Sequence, residues 1–477
     1  MRTLPGKTKP RLPSIALFAL LLGACAVIEP SSLPRMDLPE EWSETMPVAP
    51  ESTRGVDAEW WKSFASAELN RLVDLAFQDN PDLLIFAERV RQAEIALQIT
   101  GASRLPNANA SAGSSHNRTT PDGEPSTRRE SSSLGLSASY EIDLWGRIAA
   151  AVAAGEASLK ATRFDYAASR LSLAANIAGV YFESLAAGER LRIAEENLSS
   201  ARRILSIVEA RHRHGVATSL DVSQQRTAVL SQQAALIPLD VGKRQLRSAL
   251  ALLLGRNPQG AAFAEEEFAG LRVPAIAPWM PASLLTRRPD VASAEASLAA
   301  ADANVAAARA ALLPSVSLSL SGGLASDVLL DLAHPTRSLS VALSLAQNLF
   351  DGNRLELQTE SARSQRAVQV ITYAQTVRNA LKEVDDGLGN AEKTARQEAA
   401  QRAVLEQAQR SLHLAELRYR EGAGELMSVL EAQRTVYSAS EQLVTQRLSR
   451  LQAAIDLARA LGGGWREEEE KGEKGEE

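Results

Sequence analysis

Aromatic residues make up only 4% of the 477-residue chain, there is a single cysteine, and 52 lysines and arginines are outnumbered by 58 aspartates and glutamates, giving a net charge of −6. Each scarcity excludes something. With one cysteine no internal disulfide can form. Without a concentrated basic face there is nothing to hold a phosphate backbone, so nucleic acid is not an expected partner. Few aromatics and much alanine speak against one thick core and for long helices packed closely side by side. Past residue 25 no apolar run reaches the about 20 residues that a helix needs to cross a bilayer.

What is present begins at the N-terminus. Arg2, Lys7, Lys9 and Arg11 precede an apolar stretch from Ile15 to Leu22, and Leu22-Gly23-Ala24-Cys25 follows. This is the layout of a secretory signal whose apolar region is too short to span a bilayer. The lone cysteine, after two small residues and a leucine, resembles a bacterial lipobox. That resemblance implies cleavage before Cys25 and acylation of its thiol and amine, the multi-chain anchoring that stable attachment requires. Ala26 follows the cysteine instead of an aspartate, and by resemblance to other lipoproteins this favours delivery to the outer membrane. The body of the chain is then either periplasmic or crosses the membrane as strands.

An internal duplication is the most informative pattern. Asn80-Pro81-Asp82 recurs as Arg288-Pro289-Asp290, and Leu105-Pro106 as Leu313-Pro314, each 208 residues on. Leu144-Trp145-Gly146-Arg147 answers Leu349-Phe350-Asp351-Gly352-Asn353-Arg354, and Arg211-His212-Arg213-His214-Gly215 answers Arg418-Tyr419-Arg420-Glu421-Gly422. Four landmarks in one order at a nearly constant offset imply pseudo-symmetry in the fold. The expected division is a signal peptide at 1–24, an extended segment at 25–59, a first repeat at 60–258, a linker at 259–280, a second repeat at 281–465, and a solvated, disordered Glu/Lys/Gly tail at 466–477.

Within each copy the hydrophobic period changes twice. Pro81 and Pro289 suit a first helical turn, where proline sacrifices no hydrogen bond, and predict helices from Asp82 to Ser103 and Asp290 to Leu312. Leu105-Pro106 and Leu313-Pro314 end them. A period of two follows, with Val316, Leu318 and Leu320 on one face and Ser315, Ser317 and Ser319 on the other. After polar segments at Asn117 to Ser132 and Gly322 to Arg337, alternation resumes at Leu134, Leu136, Ala138, Tyr140, Ile142 and Leu144, and at Leu339, Val341, Leu343 and Leu345. Each copy thus carries one long hairpin, at about 105–144 and about 314–350. Proline-free helices are then predicted from about Arg147 to Ala186 and from about Leu355 to Leu388. Gly188 and the pair Gly387 and Gly389 read as sharp turns, after which a second helix returns to Gly215 or Gly422. Thr218-Ser219-Leu220-Asp221 and its counterpart near Glu425 start a further helix, closing at Leu254-Gly255 and Leu461-Gly462.

The hairpins bear on function. An apolar and small-polar alternation about ten residues long, joined by a polar loop, is what an outer-membrane strand needs. A soluble sandwich hairpin alternates too, but no other strand-rich segment exists to cover the apolar face, and lipid is the simplest cover. The lipid-facing set is Leu134, Leu136, Tyr140, Ile142, Val316, Leu318, Leu320, Leu339, Val341, Leu343 and Leu345. Four strands cannot close a barrel, and an open edge in hydrocarbon leaves backbone groups unpaired at several kcal/mol each. Two chains would give eight strands with a filled interior, whereas three give twelve with room for passage. A conducting barrel predicts a homotrimer.

At this point the chain resembles the outer-membrane efflux lipoproteins of the TolC superfamily, in the NodT/OprM-like branch. Trp60-Trp61-Lys62-Ser63-Phe64, Arg288-Pro289-Asp290-Val291 with Glu295, Asn348-Leu349-Phe350-Asp351-Gly352, Arg418-Tyr419-Arg420-Glu421-Gly422 and Ala460-Leu461-Gly462-Gly463-Gly464-Trp465 carry the resemblance, which runs from about Trp60 to Trp465. Asn353 departs from it, standing where many relatives have glycine. The resemblance implies a mainly helical fold with membrane hairpins: a trimer with a twelve-stranded barrel continued by a long periplasmic helical barrel. It implies a periplasmic adaptor and an inner-membrane pump of the resistance-nodulation-division class as partners, small toxic molecules as cargo, and no cofactor beyond the lipid on Cys25. Acidic rings narrow the tip of such channels, which makes Asp385 and Asp386, beside the expected turn, the candidate gate. The turns themselves, Gly188, Glu189 and Arg190 in one copy and Gly387 and Leu388 in the other, are candidate adaptor contacts.

No catalytic or metal-ligating constellation is present. His116, His212, His214, His334 and His413 are scattered, and His212 and His214 fall on different faces of a helix. Gly462-Gly463-Gly464 follows a helix, so it cannot cradle phosphate on a helix N-terminus. An enzyme is therefore not expected. The rival readings are a duct for protein secretion, which the lipobox disfavours, and a lipid-anchored helical scaffold that conducts nothing, which would have no use for lipid-facing alternation.

Overall fold

The computed structural model describes residues 38–43, 53–54, 56–123, 125–278 and 280–466. The signal segment, Cys25 and the tail beyond Arg466 lie outside the described residues. In chain order the elements are β1 (Thr53–Arg54), α1 (Ala67–Asp79), α2 (Pro81–Ala102), β2 (Asn107–Thr119), β3 (Thr127–Ile142), α3 (Arg147–Arg213), α4 (Ser219–Leu253), β4 (Ile276–Ala277), α5 (Pro289–Ala310), β5 (Ser315–Ser326), β6 (Thr336–Ala346), α6 (Arg354–Arg420) and α7 (Leu426–Ala460). Three short 3-10 turns, the first at Trp60–Phe64, complete them. The chain divides into two compact units.

The strand unit comprises Ala93–Leu159 and Ala296–Ile371. Its sheet has the order β2-β3-β5-β6, antiparallel throughout. The strands run further than the sequence suggested. Asn117 to Thr119 and Thr127 to Ser132 pair across the first hairpin, which leaves a loop at 120–126. The second hairpin likewise pairs out to Ala325 and Thr336. Serine, threonine and arginine are polar enough to look like loop, yet they keep the period of two and satisfy the ladder. Each hairpin begins and ends on a helix. Asp143 caps α3 by accepting from the Ile148 and Ala149 N–H groups at 3.1 and 2.8 Å. Asp351 does the same for α6 at Arg354 and Leu355. Between them Asn353 takes φ +64°, a left-handed conformation that asparagine tolerates better than other side chains, which accounts for its standing in for glycine there.

The helical unit corrects the sequence reading at its centre. α3 and α6 are each 67 residues without a break, so no turn occurs at Gly188, Gly387 or Gly389. A single glycine in an alanine-, leucine- and glutamate-rich helix costs only about 1 kcal/mol, and no proline or cap stands beside these positions to end the helix. The reversals lie instead at Gly215, φ +73°, and Gly422, φ +78°. Thr218 then starts α4 with a capping box, its hydroxyl accepting from the Asp221 N–H at 3.2 Å while Asp221 accepts from the Thr218 N–H at 2.7 Å.

The duplication is visible atom by atom where each copy closes. Asn80 Nδ2 donates to the Leu253 carbonyl at 2.8 Å, tying the start of α2 to the end of α4. Arg288, at the equivalent position, donates to the Ala460 carbonyl at 3.0 Å and ties the start of α5 to the end of α7. Gly255 follows α4 at φ +66° with its open side against the Asp79 carbonyl, and Gly462 follows α7 at φ +86° against the Arg287 carbonyl. The scarce aromatics gather in this unit. Trp60 and Trp61 meet edge to face with ring centroids 6.0 Å apart, Trp61 meets Phe77 at 5.6 Å, and Phe64 meets Phe182 at 5.1 Å. They anchor a core continued by Leu69, Leu72, Ile177, Leu388, Leu451 and Leu457.

Two substitutions separate turn glycines from helix glycines. Gly188→Ala meets only the Lys243 side chain, at ordinary contact distance, and should leave the melting temperature unchanged or raise it by an amount reflecting about 0.5–1 kcal/mol. Gly255→Ala combines a left-handed backbone with a collision against the Asp79 carbonyl and should lower it markedly. Thermal unfolding followed by circular dichroism reads both; a destabilised Gly188→Ala would contradict the unbroken helix.

Candidate channel wall

Register sorts the sheet into two unlike faces. Residues directly opposite on antiparallel strands share a face. Pairing of Leu136 with Gly322, Ala138 with Leu320, Tyr140 with Leu318 and Ile142 with Val316, and onward of Gly322 with Leu339, Leu320 with Val341, Leu318 with Leu343 and Val316 with Leu345, sets every expected lipid-facing residue on one side. The face continues onto β2 as Ala108, Ala110 and Ala112, opposite Ala138, Leu136 and Leu134. The sequence reading missed those alanines, although their alternation with Asn107, Asn109 and Ser111 was the available signal. In the single chain the face is bare: Leu339 is 78% exposed and Leu343 and Leu345 are each 70% exposed.

The opposite face is built of small polar groups. Ser139, Ser319 and Ala342 form one row across three strands, Ser137, Ser321 and Ser340 the next, and Gly135, Gly323 and Ser338 a third. From Leu134 to Ile142 the strand rises about 27 Å at about 3.4 Å per residue, and a tilt of about 40° reduces that to about 21 Å, close to the apolar band of an outer-membrane barrel. β2 and β6 stand at the ends of the strand order, each paired on one side only among the described residues. At the helix-bearing end Arg147 forks onto Glu141 at 3.0 and 2.8 Å, and Trp145 Nε1 donates to the Pro314 carbonyl at 2.7 Å.

The residues picked out for the gate and adaptor tips are not at tips. Asp385 and Asp386 lie within α6. Asp385 accepts from the Ser43 N–H at 2.9 Å, and Asp386 pairs with Lys382 at 2.5 Å. Gly387 faces Leu457 of α7 in tight contact, and Leu388 is fully buried, so here glycine serves close helix packing. Gly188 lies within α3 beside Lys243; Glu189 pairs with Arg192 at 2.6 Å, and Arg190 faces Glu441 of α7 at 3.5 Å. Burial pushes the Glu441 carboxyl up, against the pull of Arg190. The argument for a gate or tip from a turn at these positions therefore falls.

The helix reversals are joined by contacts the sequence did not reveal. Ile204 and Val208 of α3 pack with Tyr419, Leu426, Val429 and Leu430. Arg211 donates to the Tyr419 carbonyl and stacks 4.6 Å over its ring. Arg203 reaches Glu416 at 3.2 Å.

A sheet with one apolar and one hydroxyl-lined face, carried on duplicated long helices, matches one family in both halves. The pattern of outer membrane efflux proteins covers residues 72–256 and 280–463. The chain belongs to this family. It is 37% identical to the pyoverdine export outer membrane protein OpmQ of Pseudomonas aeruginosa, over 95% of this chain and 96% of that one. It is 30% identical to the toluene efflux pump outer membrane protein TtgC of Pseudomonas putida, over 96% of each. The open-state MtrE outer membrane channel of Neisseria gonorrhoeae superposes with a TM-score of 0.81 at 26% identity, covering 92% of this chain and 98% of that one. The efflux protein therefore has the TolC-like fold and is an outer membrane efflux channel component.

In this efflux protein the linker between repeats is tied down by a buried ion-pair cluster. Glu398 of α6 is 1% exposed and accepts from Arg447 at 3.1 Å, Arg450 at 2.8 Å and Arg402 at 2.9 Å. Arg447 also donates to the carbonyls of Phe268, Ala269 and Leu271 at 3.2, 2.7 and 2.8 Å, binding the linker to α7. Just before these carbonyls in the linker, Glu266 accepts from the Glu68 N–H at 3.1 Å, and Glu68 accepts from the Ala264 N–H at 3.1 Å. Burial raises the Glu398 carboxyl, but the hydrogen bonds and charges of Arg450 and Arg447 outweigh it and hold the group below the usual carboxylate range.

A depressed carboxylate contributes stability that is present above its unfolded pKa, about 4.3, and is lost as pH falls through the lower folded value. Glu398→Gln should lower stability at pH 7 by about 1–3 kcal/mol, below the full cost of a broken buried pair because Arg450 is partly exposed. It should also flatten the loss of stability below pH 5. Melting temperatures of the two proteins at pH 7 and pH 4 test this, and parallel declines would remove Glu398 from the acid response.

Proposed function

We propose that this chain is the passive outer-membrane duct of a tripartite efflux system, closed as a homotrimer. The observation that carries the reading is the two-faced sheet with two open edges. Its leucine face suits acyl chains, its serine face suits water, and β2 and β6 need partners that only sister chains supply. Three copies make twelve strands, wide enough to leave a lumen.

In this reading the chain conducts passively and performs no chemistry of its own. A periplasmic adaptor and an inner-membrane pump of the resistance-nodulation-division class deliver cargo to it. Relatives named for pyoverdine export and toluene efflux support small organic molecules as that cargo, with the pump choosing among them. Cys25, acylated after removal of residues 1–24, adds a lipid anchor to the barrel. No other prosthetic group is required.

Purified from membranes, the protein should run as a heat-modifiable trimer in unheated detergent gels and open steady currents in planar bilayers. A monomer that stays in solution without detergent and carries no current would overturn the duct. Intact mass of the mature chain should show a diacylglycerol and a further acyl group on Cys25, and Cys25→Ser should abolish that added mass while retaining the currents.

A further inference from the structure

The loop of the second hairpin, residues 327–335, is not a polar connection like the first. Val328, Leu329, Leu330 and Leu332 are all exposed on it, whereas the first loop offers Thr120, Pro121, Asp122, Gly123, Pro125 and Ser126. Two hydrogen bonds fix where the second loop lies. The Ser132 hydroxyl donates to the Val328 carbonyl at 2.8 Å and accepts from the Leu330 N–H at 2.7 Å.

Ser132 precedes Leu134 by two residues on β3 and so points to the same face of the sheet. That is the apolar face. Together with the Ser114 hydroxyl at 3.1 Å, the loop leaves Ser132 only 4% exposed, so it folds back over the rim of the leucine side and not over the serine-lined side. Leu330 is held there at φ +57°, a conformation that L side chains rarely adopt, and its side chain is 84% exposed in the single chain. The hydrogen bonds to Ser132 thus hold a leucine outward that nothing among the described residues covers. The neighbouring row of the sheet is apolar on three strands, at Ala112, Leu134 and Leu324, and ends on β6 at Arg337, a long cation that can reach headgroups from the edge of an apolar band, so the loop prolongs that band at its rim.

We propose that this loop is a lipid-inserted flap: Val328, Leu329, Leu330 and Leu332 meet acyl chains in the leaflet at the loop end of the sheet, and do not project over the mouth of the channel. The inference rests on the reading of the sheet as a barrel wall. Continuity with the leucine face selects lipid as the occupant. Bonding of Ser132 to the loop replaces a hydroxyl at the rim of the band with leucine, which moves the apolar boundary toward the loop end on this side of the sheet only.

Depth-dependent quenching tests it on the full-length protein reconstituted into phosphatidylcholine and phosphatidylglycerol liposomes. An environment-sensitive thiol fluorophore is attached to Leu330→Cys, to Val341→Cys as the mid-barrel reference and to Asp122→Cys as the aqueous reference; the unsubstituted chain, carrying only Cys25, supplies the blank. The expected result is that lipid brominated on its acyl chains removes the Leu330→Cys signal to the extent seen at Val341→Cys, while aqueous iodide quenches only Asp122→Cys. Quenching of Leu330→Cys by iodide as at Asp122→Cys overturns the flap, as does protection from both quenchers, which would mean that a neighbouring subunit covers the loop. If brominated lipid fails to reach Val341→Cys as well, the barrel reading itself is lost and the flap with it, a result distinct from failure at Leu330 alone.

Discussion

Backbone hydrogen bonding in the absence of water is the constraint from which the rest of this structure follows. In hydrocarbon an unpaired N–H or C=O costs several kcal/mol, so a strand can face lipid only if both of its edges are engaged. The four strands form three seams by themselves and leave, among the described residues, the outer edges of β2 and β6 open. The proposed trimer is the smallest closure that pairs those edges and leaves a lumen. The same constraint explains why the two faces are so unlike: once the backbone is satisfied by neighbours, side chains alone decide which side meets lipid and which meets water.

The helical unit answers a different demand. Its helices bury many alanines between the larger residues, as at Ala174, Ala178, Ala186, Ala194 and Ala201 along α3. Small side chains let helices approach closely along a seam, while charged residues cover the remaining faces. Such thin seams hold little apolar area, and the larger stabilisation is concentrated where the aromatics cluster and where each copy closes. Asn80 and Arg288 do equivalent work with different chemistry, a neutral amide in one copy and a guanidinium paired to Asp290 at 2.7 Å and Glu383 at 2.8 Å in the other. Duplication fixed the geometry, and divergence changed the groups that meet it.

The inter-repeat linker ties these features together within the helical unit. Arg447 gathers three of its carbonyls while its charge is held by Glu398. A buried cluster of this kind is weak support for stability in itself. Its effect is to give irregular backbone the hydrogen-bond partners that a helix or sheet would otherwise provide.

Much of the fold was legible in the sequence because its signals are local. The period of two at Leu134 to Ile142 and Val316 to Leu320, the proline-started helices and the glycine-ended ones depend on neighbours in the chain, and the register joined the whole expected lipid-facing set on one side. The turns at Gly188, Gly387 and Gly389 were misread, since a glycine inside a helix and a glycine ending one look alike until the packing is known. Gly387 is where it is because α7 approaches closely at Leu457, a contact between residues far apart in the chain. Asp385 and Asp386 lost their place at a tip for the same reason. Glu398, Arg447 and the fold of the 327–335 loop onto Ser132 were likewise invisible, because each joins segments that only the tertiary structure brings within hydrogen-bonding reach. Period and capping therefore determined what each segment becomes, whereas long-range contact decided that α3 and α6 run on through Gly188, Gly387 and Gly389 and which charges are buried.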